Sequence, residues 1–411
     1  MPDIPADCTG KALFSFSENL LFVIYESCVR IKTVFTTDRR SVCNNPDLPA
    51  FMKHIQEYRD TRLSRKIIEQ IHLLNHHPVR IMEVCGTHTV SIFRNGIRTV
   101  LPKNLSLISG PGCPVCVTDQ REIDAAIALT EEDDVIVATF GDLLRVPGTV
   151  SSLQQQQAQG ADIRIVYSTF DALAIARKNP GKKVVFPGIG FETTAPTIAA
   201  SILAAEKEGL ANYFVYSAHK LMPPALEALM ADDAGAIDGF MLPGHVSVII
   251  GVDAYADFFE KYRVPCVVAG FEPVDILRAV FMLAEMVHSG SPGLENAYPR
   301  AVTAEGNREA EAIMYRVFEP CDTSWRGLGE IAASGLRIRE DFAAYDAARN
   351  FAIKVPEART PKGCACGEIL KGRKTPLDCP LYKTQCTPAH PVGPCMVSSE
   401  GTCAAYYKYY N

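Results

Sequence analysis

Six cysteines between residues 364 and 403, a Cys-x-x-Cys pair at 113 and 116, and a lone Cys85 followed by His88 are the residues of this chain whose types and spacing could do chemistry. Cys113-Pro114-Val115-Cys116 places two sulfurs close enough to close a small disulfide ring, share a metal or trade electrons with a partner thiol. Upstream, Gly110 and Gly112 admit backbone angles that other residues resist, while Pro111 and Pro114 stiffen the turn. The run Leu105-Ser106-Leu107-Ile108 reads as a buried strand, so the dithiol belongs on a rigid loop at a strand's carboxyl end, where open α/β sheets place their sites. A structural zinc half-site and two inert core cysteines are the plainer alternatives. A Cys-x-x-Cys near a βαβ pattern favours redox or metal chemistry over both.

The second constellation follows the strand predicted over 79–84, which delivers Cys85-Gly86-Thr87-His88-Thr89 to a strand-to-helix corner. There a helix N-terminus favours thiolate at Cys85. A buried small cysteine with a capping Thr87 and a satisfied His88 weighs about equally from local sequence. In the third, periodicity gives way after Lys362 to Gly, Pro and the cysteines at 364, 366, 379, 386, 395 and 403. Such a segment buries little apolar surface and needs a covalent or metal staple. Cys-Pro pairs and wide spacings suit an iron–sulfur cluster with four thiolate ligands, whereas zinc more often shows two Cys-x-x-Cys knuckles. Six cysteines for four positions leave two over, and the choice between Cys364 and Cys366 stays open.

Composition narrows the class. The 411 residues allow two or three domains, and 47% hydrophobic with 21% charged residues is the balance of a globular chain. A net charge of −6 argues against nucleic acid or an anionic membrane as main partner. Fourteen cysteines without a signal-peptide pattern indicate a reduced, cytoplasmic protein whose thiols bind metal or carry electrons. The apolar stretch 12–25 is interrupted by Glu18 and Asn19 and is too short to span a bilayer.

Elements that position these residues alternate from residue 51 onward. Residues 1–50 lack a clear period and read as an appended extension. Helical spacing over 51–58 and 63–74 carries His72 and precedes His76 and His77, all read as solvated or capping. Strands are predicted over 79–84, 105–108, 134–142, 163–167, 184–190, 213–216, 239–242 and 264–269, with helices over 119–129, 171–177, 197–208, 275–288 and 307–317. Residues 154–157 read as a loop tip or helix start. This alternation means parallel sheet. Gly188-x-Gly190 resembles a dinucleotide loop but lacks its third glycine. Thr193 or Thr194 suits an N-cap, and Glu192 could be an acid/base group or simply a surface residue. Cys266, inside an apolar strand, reads as packing.

Taken together, Cys-Gly-Thr-His-Thr at 85–89, Gly-Pro-Gly-Cys-Pro-Val-Cys at 110–116, Gly-Phe-Glu-Thr-Thr-Ala-Pro at 190–196 and the tail from 364 to 407 resemble the HypD family of hydrogenase maturation factors, from about residue 51 onward. The resemblance implies two similar parallel-sheet, Rossmann-like α/β domains, here 51–180 and 181–310, and a helical and cysteine-rich [4Fe–4S] domain over 311–411. It implies a scaffold that works with a HypC-type chaperone in assembling the Fe(CN)2CO unit of [NiFe]-hydrogenase, with a HypE-type donor delivering cyanide. Cys85 would then be the iron-holding thiolate with His88 beside it, Cys113 and Cys116 the redox dithiol, and Glu192 a neighbour in the same cleft. Cys364, Cys379, Cys386 and Cys403 would hold the cluster, leaving Cys366 and Cys395 as a second dithiol. A relay from the cluster to Cys113 and Cys116 requires three groups far apart in sequence to converge. A free-standing iron–sulfur thiol-disulfide reductase is the rival, and a zinc-stabilised binding protein the third reading; a lone thiol at Cys85 is what a pure reductase does not need.

Overall fold

The computed structural model describes residues 57–74, 77–232, 237–358 and 361–410. The extension expected over 1–50, most of the helix expected from 51, and His76 lie outside them. In chain order the strands are Val79–Glu83 (β1), Leu105–Ser109 (β2), Val135–Thr139 (β3), Ile163–Ile165 (β4), Lys183–Gly188 (β5), Tyr213–Ser217 (β6), His219–Lys220 (β7), Gly239–Pro243 (β8), Cys266–Ala269 (β9), Leu294–Asn296 (β10), Phe318–Trp325 (β11) and Gly329–Ile338 (β12). Every residue of β3, β8 and β9 is buried, as continuous apolar runs are when helices cover both faces of a parallel sheet. One five-stranded sheet has the order β10-β9-β8-β1-β2 and a four-stranded one the order β4-β3-β5-β6. All pairings in both are parallel, which is the expected α/β class.

The expected boundary near residue 180 does not follow these sheets. Val135 of β3 pairs with Lys183 of β5, and Ile81 of β1 with Gly239 of β8. The first sheet draws its strands from 79–109 and 239–296, and the second takes the stretch between them. Strand periodicity is local and carries no record of which strands become neighbours. In each sheet the strand order reverses once, between β1 and β8 and between β3 and β5. Crevices open beyond the carboxyl ends of strands at such switch points.

A second difference lies in 311–338. After the helix Arg308–Val317, capped by Asn307 Oδ1 on the Ala310 amide, β11 and β12 form an antiparallel hairpin. It continues onto β7, with Leu336 opposite His219. A bulge between Cys321 and Thr323 breaks the two-residue alternation, so the pattern is hard to see in sequence. Residues 361–410 contribute three short α-helices, Cys366–Leu370, Pro394–Val397 and Thr402–Tyr409. The last packs on the helix Gly86–Arg94, with Phe93 and Tyr406 ring centroids 4.6 Å apart. Among the described residues no helix is long and apolar enough to cross a membrane.

Two buried polar contacts tie the parts together. Lys220, 1% exposed, donates to Glu122 Oε1 at 2.6 Å and to Thr323 Oγ1 at 3.0 Å, so one ammonium joins β7, β11 and the helix Gln120–Ala128 that follows the dithiol. Glu192 is also buried, and its Oε1 accepts from the Met222 amide at 2.8 Å while Oε2 has no partner. Burial pushes the Glu192 carboxyl up to about 7.

Lys220→Met strands the Glu122 carboxylate and is expected to cost about 3–5 kcal/mol in urea unfolding. The double variant Lys220→Met/Glu122→Gln is expected to recover most of that; a double variant no more stable than the single one contradicts the assignment. For Glu192, the folded chain keeps a proton that the unfolded chain releases near its ordinary 4.5, so stability declines as pH rises from there to about 7. Glu192 contributes on the order of 3 kcal/mol to this decline, and Glu192→Gln should remove that share. Parallel stability–pH curves for the two proteins would sink this reading.

Candidate functional site

Cys85 stands at the carboxyl end of β1, in extended backbone at the N-cap of the helix Gly86–Arg94. The Gly110-Pro111-Gly112 turn lies directly against it. A Cβ on Gly112 would come within 2.1 Å of the Cys85 nitrogen, so only glycine fits there. Two backbone hydrogen bonds lock the loops together, Gly110 N to Glu83 O at 2.8 Å and Gly86 N to Gly112 O at 3.0 Å. A Cβ on Gly86 would meet Glu400 Cβ at 2.6 Å, so the C-terminal segment closes the other side. Thr87 Oγ1 donates to Glu400 Oε1 at 2.6 Å. Three stretches distant in sequence thus meet at one thiol.

The thiolate expected at Cys85 is not its resting form. Burial and the neighbouring Glu400 push the thiol up to about 12, against the opposing pull of the His88 and Thr87 amides. The helix N-terminus acts in the expected direction and is outweighed. Cys85 therefore rests as a thiol, and a coordinating metal would be needed to remove such a proton outright. His88 is fully buried and neutral, its pKa lowered to about 4 by burial. Its Nε2 faces Ala269 O at 3.2 Å and Gly270 O at 3.0 Å, which assigns the proton to that nitrogen and leaves Nδ1 a buried lone pair without a partner.

Cys113 sits at the N-cap of the short helix Pro114–Val117. Its sulfur accepts from the Cys116 amide at 3.3 Å and lies 2.6 Å from Cys116 Sγ. Both side chains are buried, at 4% and 1% exposure. Cys116 is pushed well up by burial and by contacts with Cys113 and with Cys395 of the tail. Cys395 Sγ in turn lies 3.0 Å from Cys366 Sγ, and Cys366 is in contact with Cys364. The thiols therefore form an unbroken file from Cys113 into the cysteine-rich segment.

That file ends at a small cavity walled by all six tail cysteines, Cys364, Cys366, Cys379, Cys386, Cys395 and Cys403, with Ile369, Leu381, Tyr382 and Met396 filling the gaps. The wall offers sulfur and apolar surface, with no carboxylate or imidazole. Among the described residues no three donors converge as a single-ion site needs. A ring of thiols around an apolar cavity fits a larger, all-thiolate group. With Cys366 and Cys395 paired to one another, Cys364, Cys379, Cys386 and Cys403 remain as the donors that could hold it.

Other expected residues are placed differently. Glu192 makes no hydrogen bond to Cys85; the Tyr255 hydroxyl, paired with Ser247 Oγ at 3.1 Å, is within electrostatic range of both. Gly188 and Gly190 leave no phosphate loop. A Cβ there would strike His219 Cε1 at 2.8 Å and Thr194 Oγ1 at 1.7 Å, so these glycines serve internal packing. Thr194 does occupy the N-cap position, but its hydroxyl donates back to Phe191 O. Cys266 is buried packing in β9. Four residues were passed over in the sequence: Glu83, Lys220, Arg326 and Glu400. Glu83 is fully buried two residues before Cys85, accepts from Thr89 Oγ1 at 2.6 Å, and is pushed up to about 7 by burial. A charged residue at the end of an apolar strand run was the available signal for Glu83 and Lys220; Glu400 lies where no periodicity exists to read.

A family model described as "HypD: Hydrogenase formation hypA family" matches residues 62–410. The chain is 48% identical over 369 residues to the hydrogenase maturation factor HypD of Rhizobium leguminosarum bv. viciae, covering 87% of this chain and 96% of the relative. It is 45% identical over 370 residues to HypD of Rhodobacter capsulatus, covering 87% and 98%. A putative hydrogenase expression/formation protein of Methanocaldococcus jannaschii is 46% identical over 352 residues, covering 85% and 98%. Matches of this extent take in every motif described above, and the chain belongs to the HypD family of hydrogenase maturation factors.

Proposed function

We propose that this chain is the scaffold on which the iron of [NiFe]-hydrogenase receives its cyanide and CO ligands, working with a HypC-type chaperone and a HypE-type cyanide donor in the reduced cytoplasm. The iron unit is the cargo. Low-spin Fe(II) with such ligands wants a soft anionic donor, and Cys85 supplies one by giving up its proton to the incoming cation. Thr87 holds Glu400 beside that position, where the carboxylate can take the released proton. The observation that carries this reading is the file Cys113–Cys116–Cys395–Cys366, one end interlocked with the Cys85 loop and the other at the six-cysteine cavity.

The dithiols can exchange within this file. With Cys113–Cys116 oxidised, the Cys395 thiolate attacks Cys116 Sγ, that disulfide breaks, and Cys113 leaves as thiolate. Cys366 then attacks Cys395, releasing Cys116 and closing Cys366–Cys395. Two electrons and two protons thus move from Cys366 and Cys395 to Cys113 and Cys116, the pair beside Cys85. A [4Fe–4S] cluster held by Cys364, Cys379, Cys386 and Cys403 would supply single electrons to restore the inner pair. Burial argues against the reductase alternative, since sulfurs at 4% and 1% exposure are out of reach of another protein's disulfide.

The direct test is anaerobic purification with a HypC-type partner, followed by infrared spectroscopy over the cyanide and CO stretching region. Bands are expected in the wild type and should vanish in Cys85→Ala. A brown protein without such bands, purified where the whole pathway is present, returns the reductase reading. The exchange has its own test: in Cys113→Ser/Cys366→Ser, mild oxidation should join Cys116 to Cys395, visible as a cross-linked peptide by mass spectrometry. Failure to form that link while both thiols stay reactive after unfolding would break the file.

A further inference from the structure

The β11–β12 hairpin brings one cation to the joint between the dithiol loop and the six-cysteine cavity. Its turn is anchored by backbone: Arg326 N donates to Val117 O at 2.8 Å, and Trp325 bridges Thr118. The other face of the turn rests on the tail, where a Cβ on Gly327 would meet Gly367 Cα at 2.4 Å. From this turn the Arg326 side chain reaches back to the dithiol loop, with Nε donating to Thr118 O and Nη1 to Gln120 Oε1, both at 3.0 Å. Its Nη2 is buried and has no partner. Arg326 also lines a second cavity, whose wall includes Cys364 and Cys366 but none of the other tail cysteines. The one carboxylate in that lining, Glu368, faces Arg373 at 3.7 Å. An orphaned donor and an unpaired positive charge, fixed at two points and set beside sulfur, are costly unless a negative group belongs there.

We propose that Arg326 is a positioning residue of the electron path: its guanidinium stabilises the extra negative charge that the thiolate-bound group in the tail acquires on reduction, and ties that site to the dithiol loop. The inference rests on the cluster reading above. Net charge and donors near the sulfurs set the potential of such a group, and a fixed cation raises it. Because the turn is held by backbone atoms, changing the side chain leaves its anchorage in place.

The test is an EPR-monitored redox titration of the full chain, anaerobically purified, with iron and sulfide analysis of each sample. Arg326→Gln is expected to make the cluster about tenfold harder to reduce, a midpoint lower by about 59 mV for a one-electron couple. Gln120→Glu, which neutralises the guanidinium without removing it, is expected to shift the midpoint the same way. Arg326→Lys, which keeps the charge, should stay near wild type. An unmoved midpoint in either charge-removing variant, at full iron and sulfide content, overturns this inference and leaves the scaffold reading standing. A wild-type chain that binds no iron and sulfide at all overturns both.

Discussion

The structure depends on one close approach, the seating of the Gly110-Pro111-Gly112 turn against the backbone of Cys85. With a Cβ at Gly112 reaching within 2.1 Å of the Cys85 nitrogen, any larger residue would push the two loops apart. Everything chemical in the molecule is arranged around that contact. It sets the dithiol beside the lone thiol at the carboxyl ends of adjacent strands β1 and β2, whose register runs from Val79 opposite Leu105 to Glu83 opposite Ser109. It also fixes the direction in which Cys116 faces Cys395, and so the route into the tail. The interruption of the first sheet by the second has a consequence here. The chain leaves after β2, builds the neighbouring sheet, and returns at β8, so the dithiol loop ends up at the junction of all three sheets.

Burial disfavours charge throughout the site. Cys85 is pushed up to about 12, His88 down to about 4, and Glu83 and Glu192 up to about 7, in each case chiefly by burial. A thiol is cheap to bury and a thiolate is not, so Cys85 would carry its charge only where a cation neutralised it. The exceptions are the buried Lys220, which has Glu122, and Arg326, whose third nitrogen has no partner. The first organises the helix after the dithiol. The second stands where the tail cysteines meet that loop.

Much of this was legible in the sequence because it is written in local patterns. Apolar runs ending in Gly or Cys marked β1, β2, β3, β5, β8 and β9, and the run Tyr213–Tyr216 marked β6. The motifs around Cys85, Cys113 and the tail carried the family. What was not legible is non-local. Pairing of Val135 with Lys183 cannot be read from either segment, and the β11–β12 hairpin hides behind its bulge. The protonation of Cys85 depends on Glu400, more than 300 residues away, whereas its helix position is evident from the next few residues. Arg326 looks like an ordinary turn arginine until Thr118 and Gln120 are placed against it.

The central claim is that iron occupies two separate places joined by thiols. Anomalous diffraction at the iron edge, from crystals of the anaerobically purified chain with its HypC-type partner, addresses it directly. The account predicts two peaks, a strong one within the cavity walled by the six tail cysteines and a weaker one at Cys85 Sγ. A single peak confined to the tail with Cys85 bare under loading conditions, or iron bridging Cys113 and Cys116, would contradict it.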